Sequence, residues 1–198
     1  MPPSSRGSGL MPPRGNATRD AIIHGAAWVF ASQPYSQTTI SAIAQRAGVK
    51  KSAFYFHFTD KAEAAHSVLI EPWPWIPRTI GLDPRGPLEA ALDLAFTLCS
   101  EHRSNPVVAA GVRLSAVRLD LGWKDETSLE QWRRTVGELL DLAEIAGELI
   151  IPAGAAHEIL TSSLLGVLLT SIDQSEASAR TAVLARLLSP LLRPTSRA

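Results

Sequence analysis

The chain has 198 residues, of which 45% are hydrophobic and 19% are charged. This content of apolar residues builds a packed core and excludes a disordered chain. The single cysteine, Cys99, excludes an internal disulfide framework and a multi-cysteine zinc site, and it fits a reducing cytosol. Residues 1–20 hold no apolar segment of the signal-peptide kind, and the most apolar run, residues 159–172, is shorter than the ~20 residues of a membrane span. We therefore expect a soluble, cytoplasmic protein with no membrane partner.

Charge is distributed unevenly, although the formal net charge is zero. Residues 1–59 contain six Lys or Arg and one acidic residue, a net charge of +5. Residues 60–198 contain thirteen basic and eighteen acidic residues, a net charge of −5. A basic front part favours a polyanionic partner. An excess of five charges also arises by chance, so charge alone leaves the partner open.

The first 70 residues predict a tail followed by a small helical domain. Residues 1–17 are rich in Pro, Gly, Ser and Arg, which predicts a disordered tail, and Met11 is an alternative start to Met1. Residues 18–70 then carry N-cap, capping-box and helix-stop signals, which predict the first domain. Its predicted helices run from Thr18 to Pro34, from Thr39 to Ala47, from Lys50 to His57, and from Asp60 to a point before Pro72.

Residues 71–198 predict a second helical domain. Three prolines between Glu71 and Pro77 exclude a regular helix there, so the segment to Gly86 is a linker or a packed loop. Proline and capping-box start signals follow for the later helices. These helices are predicted over 87–103, 105–119, 127–149, 154–175 and 178–192. No segment alternates apolar and polar residues for long, so the predicted fold class is all-α.

The segment from Thr39 to Phe58 has the spacing of a helix-turn-helix. Ala44 is small where the second helix crosses closely, and Gly48, four residues later, gives the turn a positive φ. Helical spacing then predicts which side chains of the second helix point outward. These are Lys51, Ser52 and Tyr55, with Lys50 beside them at the start of the helix.

The outward residues have the chemistry of a DNA recognition helix. The first residues of such a helix reach base edges in the major groove, while basic side chains, a tyrosine and the cap of the preceding helix hold phosphates. The residues predicted to contact double-stranded DNA are Thr39, Lys50, Lys51, Ser52 and Tyr55. The alternative is an ordinary helical hairpin with a solvated basic face.

The same segment resembles the DNA-binding domain of the TetR-family bacterial repressors. The resemblance extends over about 45 residues from Arg19. It rests on Thr39, Ile43-Ala44, Ala47-Gly48-Val49, Phe54-Tyr55-Phe56-His57-Phe58 and Lys61. It implies a repressor that binds a palindromic operator as a homodimer, and it adds Lys61 to the DNA contacts. The family usually has Ser or Thr in place of Lys50 and often Gly in place of Ser52, so these departures bear on the operator sequence.

The run Phe-Tyr-Phe-His-Phe is similar to the corresponding sequence in one subgroup of the family, the γ-butyrolactone receptors of antibiotic-producing actinomycetes. Residues 105–114, Trp132 and residues 147–149 resemble the same subgroup more loosely. The resemblance implies a signal-responsive repressor of secondary-metabolism genes. Within the family, the alternatives are a drug-sensing efflux regulator and an orphan repressor without a ligand. Outside it, the alternative is a small-molecule-binding helical protein that does not bind DNA.

The resemblance also implies a ligand site in the C-terminal domain. In the subgroup a Trp at the place of Trp132 lies over the ligand, and a Thr and a Gln often line the pocket where this chain has Leu165 and Leu168. The implied pocket, walled by Trp132, Leu165 and Leu168, takes a more apolar signal than a lactone, or none. Core packing is the alternative role for Trp132, because this residue lies on the inward stripe of its predicted helix.

The predicted helix 154–175 is apolar on two sides. The two stripes are Leu160, Leu164 and Leu168 on one side and Leu165, Leu169 and Ile172 on the other. We expect one stripe to face the core and the other to face a second copy of the chain, since a helix with so broad an apolar surface buries two sides. The last predicted helix would join this dimer through Val183, Leu187 and Leu191. A central core helix is the alternative.

Patterns of catalytic or metal-binding residues are missing from the sequence. The five histidines lie on different predicted helices without HxxxH spacing, which argues against a metal site. The sequence also lacks the nucleophile-elbow, P-loop and dinucleotide-binding patterns. We therefore expect no catalytic residues, no enzyme activity and no cofactor. The favoured interpretation is a dimeric transcriptional repressor that releases DNA when a small apolar signal binds.

Overall fold

The computed structural model describes residues 14–79 and 84–170. Every regular element in these ranges is helical, which confirms the predicted all-α class. The α-helices are α1 (Arg14–Ser32), α2 (Ile40–Arg46), α3 (Lys51–His57), α4 (Lys61–Leu69), α5 (Pro87–Ser104), α6 (Pro106–Ser115), α7 (Ser128–Ile145) and α8 (Ala153–Thr170), and a 3-10 turn, Tyr35–Gln37, joins α1 to α2. The predicted helix 178–192 lies outside the described residues.

Several helix boundaries differ from the sequence predictions. α1 begins at Arg14 rather than at Thr18, so residues 14–17 are helical and do not belong to the predicted tail. Residues 14–17 contain no proline, so nothing in this segment prevents the helix from starting before Thr18. α6 ends at Ser115 rather than near residue 119, because turns follow and lead to Gly122 with a φ of 74°.

The end of α7 also comes earlier than predicted, at Ile145 rather than near residue 149. Gly147 adopts a φ of 71°, and the N–H of Glu148 donates to the carbonyl of Ala143 at 2.9 Å. This arrangement is a Schellman motif, which ends a helix where a glycine tolerates the left-handed conformation. The stop signal in the sequence is therefore Gly147.

One continuous hydrophobic core joins the N-terminal and C-terminal helices. Its buried side chains run from Ile22 in α1 to Leu168 in α8. α1 packs against α2, α4 and α6, while α6 also packs against α5, α7 and α8. The boundary predicted near residue 70 divides the chain in sequence, but the core is shared across it.

The 18-residue helix α8 includes residues 159–170 of the apolar run that is shorter than a membrane span. By length and composition alone, it is long and apolar enough to cross a membrane. The core helices of globular proteins meet the same two criteria. Leu160, Leu164 and Leu168 are buried, and α8 packs against α5, α6 and α7. The first predicted stripe of α8 thus faces the core.

Candidate functional site

The helix-turn-helix is formed by α2 and α3. Thr39 caps α2, because its Oγ1 accepts a hydrogen bond from the N–H of Ala42 at 3.2 Å. After α2, Gly48 has a φ of 69°, and the N–H of Val49 donates to the carbonyl of Ala44 at 3.0 Å. Apart from its two chain neighbours, no residue has a heavy atom within 4 Å of the place where a Cβ would stand on Gly48, so the left-handed backbone and not crowding requires glycine here.

A second glycine, which the sequence interpretation missed, sets how closely α2 approaches α1. A Cβ on Gly25 would lie 2.8 Å from the backbone nitrogen of Ala47 at the end of α2. Any larger residue would separate the two helices. The absence of a side chain at Gly25 therefore allows α2 to pack closely against α1. No local pattern around this residue indicates such a role.

α3 presents the predicted outward face. Lys51, Ser52 and Tyr55 are exposed, whereas Phe54 is buried. Lys50 is exposed at the N-cap position, and its side chain makes no capping hydrogen bond. The structure therefore brings these four predicted DNA contacts onto one helix, with the exposed Thr39 at the start of α2. Their contact with DNA stays a prediction.

The ring of Tyr55 is held by its neighbours on α3. It packs edge-on against the buried Phe54, with 5.7 Å between the ring centroids. The ammonium of Lys51 lies 6.0 Å from the centroid of the Tyr55 ring. A cation at this distance from an aromatic ring is attracted by it. The Tyr55 ring therefore packs against Phe54 and lies near the ammonium of Lys51 on the exposed side of α3.

Phe56 extends the same face and was not among the predicted contacts. Its side chain is 83% exposed, and it follows Ser52 by four residues, which places the two on one side of α3. The spacing that identified Ser52 and Tyr55 was sufficient to include it. We call the set Lys50, Lys51, Ser52, Tyr55 and Phe56 the recognition face.

Lys61 is bound within the protein, although the resemblance implied that it contacts DNA. Its Nζ donates to the carbonyl oxygens of Tyr35 at 2.7 Å and of Thr38 at 3.0 Å. It also lies 4.2 Å from the centroid of the Tyr35 ring. Burial lowers the pKa of the Lys61 ammonium. Since a lysine has three N–H donors, one remains for a phosphate, and the predicted DNA contact stays a prediction.

The turn before α2, which contains Tyr35, also contacts the C-terminal part of the chain. Trp123, in the loop between α6 and α7, packs edge-on against Tyr35 with 6.4 Å between the ring centroids. Trp123 also lies 5.4 Å from the ring of His66 in α4. The Nε2 of His66 is 2.8 Å from the Oδ2 of Asp125. Contacts among four residues therefore connect the helix-turn-helix side to the C-terminal part of the chain: Tyr35, His66, Trp123 and Asp125.

The predicted ligand residues lie in and beside the core. Trp132 is fully buried, and its indole N–H donates to the carbonyl of Leu94 at 3.1 Å. Leu168 is buried, while Leu165 is half-buried and packs against the same core. The hydrogen bond to Leu94 occupies the one polar group of Trp132, so an entering ligand would meet only the ring. The pocket itself stays a prediction.

Titratable groups of the C-terminal helices offer little chemistry. Burial, together with the charge of Arg113, lowers the pKa of His102 to about 4, so its imidazole is neutral at pH 7. The Nε2 of this residue is buried and has no hydrogen-bond partner. In the ranges 14–79 and 84–170, no three His, Cys, Asp or Glu side chains come together as metal ligands would.

Comparison with known proteins identifies similar sequences. Residues 22–68 match the bacterial regulatory proteins of the tetR family. Over 168 residues the chain is 30% identical to the A-factor receptor protein of Streptomyces griseus. This match covers 81% of the chain and 57% of that receptor, so the chain spans little more than half of the relative's length.

Several solved structures are similar over 93% of this chain, and two of them bear on its partners. One shows CprB from Streptomyces coelicolor in complex with its biological operator sequence, with a TM-score of 0.75, 27% identity and 93% of that chain covered. The other is an ArpA-like gamma-butyrolactone receptor, with a TM-score of 0.75, 28% identity and 92% of that chain covered. The likeness extends through the helices of both parts of the chain.

We expect Lys61→Met to lower the free energy of unfolding by about 1–3 kcal/mol, because the carbonyls of Tyr35 and Thr38 lose their charged donor. Urea unfolding of both proteins measures this difference. Lys124→Met, at an exposed position in the loop before α7, is the matched control and should leave the stability unchanged. Wild-type stability for Lys61→Met, together with a DNA-binding salt slope lower by about one unit, would instead make Lys61 a phosphate contact.

Proposed function

Because the chain belongs to the tetR family of bacterial regulatory proteins, we propose that it is a transcriptional repressor that binds a palindromic operator and leaves it when a small signal molecule binds. The observation that carries the proposal is the recognition face on α3. This face exposes two lysines and two hydroxyl side chains on the helix that follows the turn of the helix-turn-helix. Such residues can reach bases and phosphates of the major groove.

The charge around the recognition face supports the same proposal. No acidic residue occurs in the sequence between Asp20 and Asp60, a range that contains Arg46, Lys50 and Lys51. Phosphates approaching this surface therefore meet no opposing carboxylate from the helix-turn-helix itself. The similarity to a protein solved with its operator sequence supports DNA as the partner.

We further propose a small apolar or butyrolactone-like signal, which controls secondary-metabolism genes through this repressor. The similarity to an A-factor receptor and to a gamma-butyrolactone receptor supports the class of signal. In this proposal the ligand lies against Trp132, Leu165 and Leu168. It acts by favouring a conformation that does not bind DNA, and a difference of about 3 kcal/mol in binding the two conformations shifts their ratio more than a hundredfold.

An orphan repressor without a ligand is the second candidate function. The hydrogen bond from Trp132 to the carbonyl of Leu94 favours it, because the indole has no other polar group to offer a ligand. Leu165 and Leu168 add no hydrogen-bonding group beside it. In both versions the protein acts in the cytoplasm, where bacterial DNA lies, and we assign it no enzymatic activity.

The repressor is proposed to act as a homodimer through α8. Two apolar side chains of this helix, Ile159 and Leu169, are each 37% exposed, while Leu165 is half-buried. An apolar side that the described core does not cover suits a second copy of the chain. Dimers of helix-turn-helix proteins bind two half-sites, which agrees with a palindromic operator.

We expect Lys51→Ala and Tyr55→Ala each to weaken operator binding by about 1–3 kcal/mol, because they remove contacts of the recognition face. The measurement is an electrophoretic mobility shift with the DNA upstream of the protein's own gene, repeated at several salt concentrations. Lys51→Ala should also lower the salt slope by about one unit. Lys124→Ala is the control for loss of an exposed lysine elsewhere. Unchanged affinity and salt slope in both variants would remove the assignment of α3.

Leu169→Glu should convert the protein into a monomer, because it places a charge on the proposed dimer side of α8. Leu142→Glu on α7 is the matched control, since Leu142 is 43% exposed and Leu169 is 37% exposed. Sedimentation velocity of the wild type and both variants at micromolar concentration measures the oligomeric state. A monomeric wild type contradicts the proposal, and so does a Leu169→Glu dimer as tight as the wild type.

We expect Trp132→Phe to keep DNA binding but to weaken the response to the signal, because it reduces the ring surface against which the ligand is proposed to lie. Mobility shifts with and without culture extract compare the variant with the wild type. At least tenfold more extract should be needed to release the variant. Release at the same amount of extract would mean that Trp132 serves only the core.

A further inference from the structure

Phe56 is an exposed aromatic side chain on the helix that begins with Lys50 and Lys51. At 83% exposure it equals Ile145 on α7 and exceeds every other described large hydrophobic residue. The structure records one ring contact for it, with the adjacent His57 at 5.1 Å between centroids. Phe54 and Phe58, the two neighbouring phenylalanines, are buried. The side chain of Phe56 therefore contributes little to the packing of the hydrophobic core.

Its position on α3 places it beside groups that suit DNA. Phe56 is the sixth residue of the helix, one turn after Ser52 and directly after Tyr55. Lys50 and Lys51 stand at the start of the same helix. A partner of this face must carry negative charge near the lysines at the start of α3 and an apolar group near Phe56 later in the helix.

The major groove of DNA has this combination. Phosphates line its edges, and the C5-methyl group of thymine is the apolar feature that a base presents there. A phenylalanine ring donates and accepts no conventional hydrogen bond, so it cannot read the polar edges of the other bases. Contact between phenylalanine and the thymine methyl is a known means of direct base recognition.

We propose that Phe56 contacts the C5-methyl of a thymine in each operator half-site and so selects thymine at that position. The proposal rests on the proposed function as a DNA-binding repressor. Lys50 and Lys51 fix the helix on the backbone through charge, and Phe56 adds sequence selectivity that is independent of charge. The operator is therefore expected to hold one thymine per half-site that no other base replaces equally well.

The experiment removes the two partners separately. Full-length wild-type protein first selects its preferred duplex from a random DNA pool, and each thymine of that duplex is then replaced in turn by deoxyuridine, which lacks only the methyl group. For the wild type, we expect one position per half-site to weaken binding by about three- to fivefold, the scale of one buried methyl group. Phe56→Ala should bind the unmodified duplex more weakly and show no further loss with deoxyuridine at that position.

Two controls separate recognition from a structural effect. Phe56→Ala should retain the wild-type unfolding midpoint and salt slope, because the change removes neither core packing nor charge. Ile145→Ala removes an equally exposed apolar side chain far along the sequence, on α7. It should retain both the wild-type affinity and the full deoxyuridine loss.

Two results would overturn the proposal while leaving the proposed function intact. The first is a deoxyuridine loss of equal size in the wild type and Phe56→Ala. The second is a wild-type duplex in which no thymine methyl affects binding. Failure of the wild type to select any DNA from the pool would instead overturn the proposed function, and this inference with it.

Discussion

A single ammonium group on α4 holds the start of the helix-turn-helix. The Nζ of Lys61 donates to the carbonyls of Tyr35 and Thr38, which belong to the short connection between α1 and α2. The next residue, Thr39, is the N-cap of α2. The position of α2, and of α3 that follows it, therefore depends on the position of the Lys61 ammonium on α4. Charge-assisted hydrogen bonds of this kind are stronger than those between neutral groups.

The same connection is reached from the C-terminal helices. Tyr35 contacts Trp123, and Trp123 lies against His66, whose Nε2 pairs with Asp125. The loop between α6 and α7 thus touches both α4 and the turn before α2. Movement of this loop would act directly on the turn that precedes α2, without passing along the length of α4.

Local rules in the sequence were sufficient for the helix-turn-helix. Gly48 was identified because a tight turn needs a positive φ, and Lys51, Ser52 and Tyr55 were identified because helical spacing separates an outer face from an inner one. Phe56 follows from the same spacing. It comes one turn after Ser52, so helical spacing alone places it on the outer side of α3.

The features that escaped prediction depend on partners distant in sequence. Gly25 is explained by Ala47 at the crossing of α1 and α2, and Lys61 by carbonyls 23 and 26 residues away. Trp132 was placed inward correctly, but its acceptor on Leu94 lies 38 residues earlier on α5. No local periodicity contains such pairings, because they arise only when helices pack.

The continuous core makes the DNA-binding region a poor candidate for transplantation. α6 packs directly against α1 and α4, so a fragment that ends near residue 70 would carry uncovered apolar surface on both of these helices. A chimaera that joins this N-terminal part to an unrelated sensor would need a replacement for α6 with matching shape. Evolution of the two parts is constrained in the same way, since a substitution in α6 that suits a new signal must still fit the helices that hold the DNA-reading unit.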